Sequence, residues 1–146
     1  PGSPGVTAEA LLLLAQAHCS RDDVEKALAP AAQWVQKSRR INHLHGIVVG
    51  MLVLTHVHLE DDDPRSAEGM ASEACSVARE SDDLRLKVHA LQEVAGLAAQ
   101  SPGDGLELAL EAREVAEELG DWQLRAASLV ILIDIYMQMR KKREVT

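Results

Sequence analysis

The sequence predicts an all-α protein built as an α-solenoid, about seven helices stacked as successive antiparallel hairpins. Three observations lead there. The chain is self-similar: Ala15 is followed by Thr55, Ala95 and Ile133 at intervals of 40, 40 and 38 residues. Parallel series run through Ala27, Ala67 and Gly105, and through Ala31, Ala71 and Ala109. Aromatic residues make up 2% of the 146 residues, with no Phe, against 47% hydrophobic residues overall. Ala, Leu and Val must therefore do the packing, which brings helices close together. Finally, no long alternating run of β-branched residues signals a strand. A helical unit of this length cannot bury its apolar face alone, so it stacks on its neighbours and forms a curved array with a concave surface.

The elements follow in order. A first helix is expected over about residues 8–19, with Thr7 as N-cap and residues 20–23 as a turn. A second covers about 24–39 and contains Pro30, which can kink it. A third covers about 43–59. The acidic stretch 60–63 ends in Asp63, a cap, with Pro64 at the first position of a fourth helix reaching residue 80. Ser81-Asp82-Asp83 opens a fifth, ending near residue 100. Ser101-Pro102-Gly103-Asp104 reads as a turn. A sixth covers about 105–119, and Gly120 suits a left-handed terminus. The seventh starts at Asp121 and reaches about residue 141. Short turns make neighbours antiparallel, so the repeats are about 4–42, 43–82 and 83–120, with the last helix unpaired. The spacing between paired series shortens from 12 residues (Ala15 to Ala27) to 10 (Ala95 to Gly105), so the repeats are degenerate. Residues 1–6, opening Pro1-Gly2-Ser3, read as a cloning scar or disordered lead, 7–140 as the repeat domain, and 141–146 as a basic tail. The sequence then reads as a piece of a longer protein.

These residues resemble the tetratricopeptide repeat, in its longer variety of about 40 residues. The family expects small side chains where its paired helices cross. Here Ala15, Thr55 and Ala95 stand at one such point, Ala27, Ala67 and Gly105 at a second, and Ala74 and Ala112 at a third. Glu118-Leu119-Gly120-Asp121 is similar to the ending between repeats of that variety. Trp34 replaces a small residue, so the first repeat must pack differently, and only Tyr136 keeps an aromatic at its place. The resemblance covers about residues 7–140 and implies a right-handed solenoid of 3.5 repeats and a non-catalytic protein–protein interaction module. It says little about the partner.

The resemblance further implies a partner-binding groove along the first helix of each pair: Leu12 and Gln16, then Val49, Leu52, Val53 and His56, then His89, Gln92 and Glu93, and finally Val130 and Asp134. The third and seventh helices are apolar nearly all round, which marks a helix that is buried or binds something. The expected occupant is a peptide or helix, apolar or basic-amphipathic, favoured by Glu9, Glu93, Asp134 and the net charge of −8. Family members that clamp the carboxylates of chaperone tails use Lys and Asn, which these positions do not supply. A second reading makes Leu129, Ile133, Tyr136 and Met137 a self-association face, in a homodimer or larger assembly, unless a further repeat follows. A third makes the chain a regulatory sensor within a larger protein.

Other functions find little support. Acidic composition argues against nucleic acid, and the run Arg140-Lys141-Lys142-Arg143 reads as cations complementing a helix C-terminus. No apolar run approaches the roughly 20 residues of a membrane span. His43-x-His45 and His56-x-His58 put their rings on roughly opposite helix faces, wrong for chelation, so neither metal nor cofactor is expected. Residues 60–63 lack the Gly and distal Glu of a calcium loop. No catalytic constellation is present, and the chain is not expected to be an enzyme. Cys19 and Cys75 read as small packing residues, and with no secretory signal the expected location is intracellular, the cytoplasm first.

Overall fold

The computed structural model describes residues 24–97 and 102–145, and among these every regular element is a helix. There are six: α1 (Val24–Arg40), α2 (Leu44–Glu60), α3 (Pro64–Glu80), α4 (Leu84–Leu97), α5 (Pro102–Leu119) and α6 (Trp122–Val145). They are the second to seventh expected helices. The first, with Thr7, Leu12, Gln16 and Cys19, lies outside the described residues, as does the end of the fifth beyond Leu97.

Local chemistry sets the helix ends. After α1 and α2 the chain turns through residues of positive φ, Asn42 at 53° and Asp62 at 56°. Each turn carries a matched pair of backbone bonds. The N–H of His43 donates to the Ser38 carbonyl (2.9 Å) and that of Asn42 to Arg39 (3.1 Å). Twenty residues on, Asp63 donates to His58 (2.9 Å) and Asp62 to Leu59 (3.1 Å). This is the Schellman termination, filled by Asn and Asp, which tolerate left-handed backbone better than other non-glycine residues. At the end of α5, Gly120 takes φ 75° and donates to the carbonyls of Ala116 and Glu117. The N-termini of α3, α4 and α6 are capped by aspartates: Asp63 accepts from the Ser66 N–H, Asp83 from Arg85 and Leu86, and Asp121 from Gln123 and Leu124.

Two boundaries differ from expectation. α5 begins at Pro102, three residues earlier than the turn reading of 101–104 allowed, because proline at the first helical position lacks only an N–H that would have no intrahelical partner. The basic segment 141–146, expected as a tail, continues α6 to Val145. Its cations sit in the last turn, where they oppose the negative end of the helix dipole, and Arg140 pairs with Glu144 one turn on.

The described chain divides into two compact units, one ending at Glu80 and one beginning at Ser81. In the first, α2 packs on both α1 and α3; in the second, α5 packs on both α4 and α6, and α4 also touches α6. The same stripe is buried on α1, α3 and α5. On α1 it is Ala27, Ala31, Trp34, Val35 and Ser38, and 40 residues later Ala67, Ala71, Ala74, Cys75 and Ala78. A further 38 residues on, Gly105, Ala109, Ala112 and Ala116 are buried, with Arg113 half-buried between them. The helical spacing of three and four residues puts each set on one face.

Trp34 is the one aromatic member of these stripes, and it packs differently, as the sequence requires. The indole is 7% exposed and its N–H donates to the carbonyl of Gly46. A Cβ on Gly50 would collide with the indole ring and lie 2.6 Å from Val35 Cγ2, and one on Gly46 would lie 2.5 Å from Ser38 Oγ. Gly46 and Gly50 are therefore the space that α2 gives to α1. Around them Ala31, Trp34, Val35, Ile47, Met51, Leu54 and Ala74 form the core of the first unit. In the second unit, Ala95 clusters with Ala109, Leu132 and Ile135, and Val88 with Ala116 and Leu124.

Candidate functional site

The residues expected in a groove fall into three states. On α2, Val49, Leu52 and Val53 are half-buried, and Leu52 and Val53 pack against the core of the first unit; His56 is exposed. On α4, His89 and Glu93 are exposed, whereas Gln92 is engaged within the second unit. Its Nε2 donates to the Leu124 carbonyl (3.0 Å) and to Ser128 Oγ (2.8 Å), tying α4 to α6. On α6, Val130 and Asp134 are exposed. Leu12 and Gln16 lie outside the described residues.

A small cleft of about 90 Å³ opens between α4 and α6, lined by Ala95, Gly96, Ile131, Asp134, Ile135 and Gln138. Gln138 Oε1 is buried with no hydrogen-bond partner. The cleft thus sets the Asp134 carboxylate beside the aliphatic side chains of Ile131 and Ile135, a setting suited to a cationic side chain with an aliphatic stem.

The opposite face of α6 is the larger feature. Leu129, Ile133 and Tyr136 are 48%, 57% and 52% exposed, with Val130 and Met137 beside them. The repeat register shows what this face is. Ala126, Leu129 and Ile133 stand 38 residues after Val88, Leu91 and Ala95 of α4, and 78 after Val48, Met51 and Thr55 of α2. All six of those counterparts are at most 2% exposed. On α4 the cover is α5, whose Ala116 packs with Val88 and whose Ala109 packs with Ala95. On α2, Met51 shares a core with Ala74 of α3. α6 presents the same face uncovered.

Trp122, Ala126 and Arg140 belong to this face too, and sequence reasoning missed them. All are exposed, Trp122 at 72%. The signal was readable: 122, 126, 129, 133, 136 and 140 recur at alternating intervals of four and three, the spacing of a seam between two long helices.

The base of α6 is held firmly. Asp121 Oδ2 accepts from Arg85 Nη1 at 2.7 Å while Oδ1 caps the helix. The Arg85 hydrogen bond first, and then the Leu124 N–H, hold the Asp121 carboxyl below its ordinary value. Among the described residues, no group of three or more His, Cys, Asp or Glu is placed to hold a metal ion, and no helix is long and apolar enough to cross a membrane. No family model matches the chain, and a search of curated proteins finds no significant match.

Proposed function

We propose that this chain is a non-catalytic protein–protein interaction module, a right-handed solenoid of tetratricopeptide-like helix pairs, and that it receives a partner helix on the open face of α6. One observation carries the reading: the face that α3 covers on α2 and α5 covers on α4 is exposed on α6. Exposed apolar stripes of this kind mark interaction sites in proteins that otherwise bury such residues, and an amphipathic helix is the shape that already fits the two equivalent faces.

The probe is a helix-stapled peptide with the sequence of α5, Pro102–Leu119. Added to the isotopically labelled chain, it should shift the amide signals of Ala126, Leu129 and Ile133 and leave α1 unmoved. Binding that leaves these three signals in place removes the reading.

A second reading, a groove for a basic peptide, rests on the cleft between α4 and α6. A lysine or arginine entering it would lay its stem on Ile131 and Ile135 and bring its charge to Asp134. Asp134→Ala should weaken the binding of Arg- and Lys-containing peptides severalfold without altering the melting temperature. Equal affinity in the two proteins counts against the cleft.

A further inference from the structure

Repeat register singles out one helix end. α4 and α6 open on Asp83 and Asp121, whose Oδ1 atoms accept from the N–H groups two and three residues on, those of Arg85 and Leu86 in one and of Gln123 and Leu124 in the other. Forty residues before Asp83, α2 opens on His43, which makes no capping hydrogen bond through its side chain. The equivalent amides here are those of His45 and Gly46. They lie in the first turn, where an N–H has no acceptor within the helix, at the positive end of the helix dipole.

Two further departures from the repeat meet at the same place. Where α3 and α5 have Ala78 and Ala116, α1 has Ser38, and where α4 and α6 have Leu86 and Leu124, α2 has Gly46. Ser38 is 1% exposed, and its hydroxyl has no hydrogen-bond partner. It is aimed into the first turn of α2: a Cβ on Gly46 would lie 2.5 Å from Ser38 Oγ and 2.6 Å from His43 Nδ1. An alanine, a carboxylate and a leucine are thus exchanged together for a hydroxyl, an imidazole and bare backbone. Three donors, the two amides and the Ser38 hydroxyl, converge where the equivalent helix ends carry their own negative charge. The local chain does not oppose an anion. From Lys26 to Leu59 it has no acidic residue, although the protein has 23 in all. Arg39, at the end of α1, is engaged by Glu73, so the donors at the helix end, rather than this cation, hold the ion.

We propose that the N-terminus of α2 binds a phosphate group, held by the N–H groups of His45 and Gly46, the Ser38 hydroxyl and the His43 ring. Phosphate oxygens suit backbone donors at a helix N-terminus, and a phosphate group has an oxygen for each of the three donors. His43 is exposed, so its ring turns outward to admit the ion without disturbing the core. A free phosphate ion and a phosphate monoester share this chemistry.

The test is an NMR titration of the isotopically labelled whole chain with inorganic phosphate, exchanged for chloride at constant ionic strength and pH. The amide signals of His45 and Gly46 should shift and saturate. Ser38→Ala installs the residue of the equivalent helices and should weaken binding about tenfold, the loss of one hydrogen bond to a charged group. His43→Asp installs the carboxylate of Asp83 and Asp121. It should abolish the response and raise the melting temperature in chloride, because the negative charge is then built in. O-phosphoserine in place of phosphate separates the two sources: equal or tighter binding assigns a phosphoryl group carried by a larger molecule, and much weaker binding assigns the free ion. His45 and Gly46 signals that stay in place overturn the proposal. So does a shift that survives His43→Asp, or an affinity unchanged by Ser38→Ala.

Discussion

The indole of Trp34 occupies the space that a side chain at Gly50 would fill. In the second unit the equivalent positions are Ala112 on α5 and Ser128 on α6, both small and both fully buried. One helix pair is thus fitted by a large residue against none, and the other by two small ones. The size pattern predicts a change of sign. Gly50→Ala alone gains about 1 kcal/mol of helix propensity but forces the ring aside, at about 1–3 kcal/mol, and should destabilise. Trp34→Ala alone should cost about 3–5 kcal/mol. In that background Gly50→Ala should stabilise by about 1 kcal/mol. Urea denaturation of the four proteins reads the result directly.

Ser38 is 1% exposed, and its hydroxyl is buried without a hydrogen-bond partner. Ala78 and Ala116 stand at the equivalent points of α3 and α5. Ser38→Ala removes an unsatisfied polar group and restores the residue the fold uses elsewhere, so it should raise stability by about 1 kcal/mol. Thermal or urea melting checks this, and a loss of stability would show that the hydroxyl has a partner in solution.

Gln92 holds α4 to α6 through two bonds, and Ser128, one of its acceptors, is fully buried. Gln92→Ala should cost about 1–3 kcal/mol. The cost should be smaller once Ser128 is already Ala, since one of the two bonds is then missing beforehand. A double-mutant cycle should give a coupling of about 0.5–3 kcal/mol, and strict additivity would show that the two groups do not interact.

Asp121 ties Arg85 to the start of α6, and the Arg85 hydrogen bond holds its carboxyl below the ordinary carboxylate range. Asn at this position still caps a helix, so Asp121→Asn removes the ion pair and spares the cap. A carboxyl whose folded pKa is depressed stabilises above its unfolded pKa, near 3.9, and loses that stabilisation as pH falls through the folded value. The wild type should therefore melt above the variant at pH 7, and the gap should begin to narrow below about pH 4 and go on narrowing as the carboxyl is protonated. A gap that does not narrow at all as pH falls below the unfolded value assigns the difference to something other than this charge.

Much of this was legible in the sequence because caps and small-residue series are local signals. Asp63-Pro64 and Gly120-Asp121 mark their boundaries by backbone chemistry alone. The alanine series on α3 and α5 mark the buried stripe by spacing. Other features depend on partners distant in the chain. Gly46-x-x-x-Gly50 reads only as a close-packing pattern until Trp34 is seen across the helix pair. Gln92 reads as a groove residue because its helix position points that way, and only the packing of α6 shows it hydrogen-bonded to Leu124 and Ser128. The reach of α6 to Val145 was missed because a basic cluster at a chain end resembles a solvated tail, although the same charges favour a helix terminus.

On α1, α3 and α5 taken separately, nine alanines are buried at 7% exposure or less: Ala27, Ala31, Ala67, Ala71, Ala74, Ala78, Ala109, Ala112 and Ala116. An alanine has no rotamers to freeze, so ordering these faces costs entropy in the main chain alone. The gain comes from many dispersion contacts at short interhelical distance rather than from a few bulky anchors. Such a seam has almost no slack. A longer side chain at any of the nine places must pry two helices apart along their whole length, whereas the outward positions one residue away can change with little mechanical consequence.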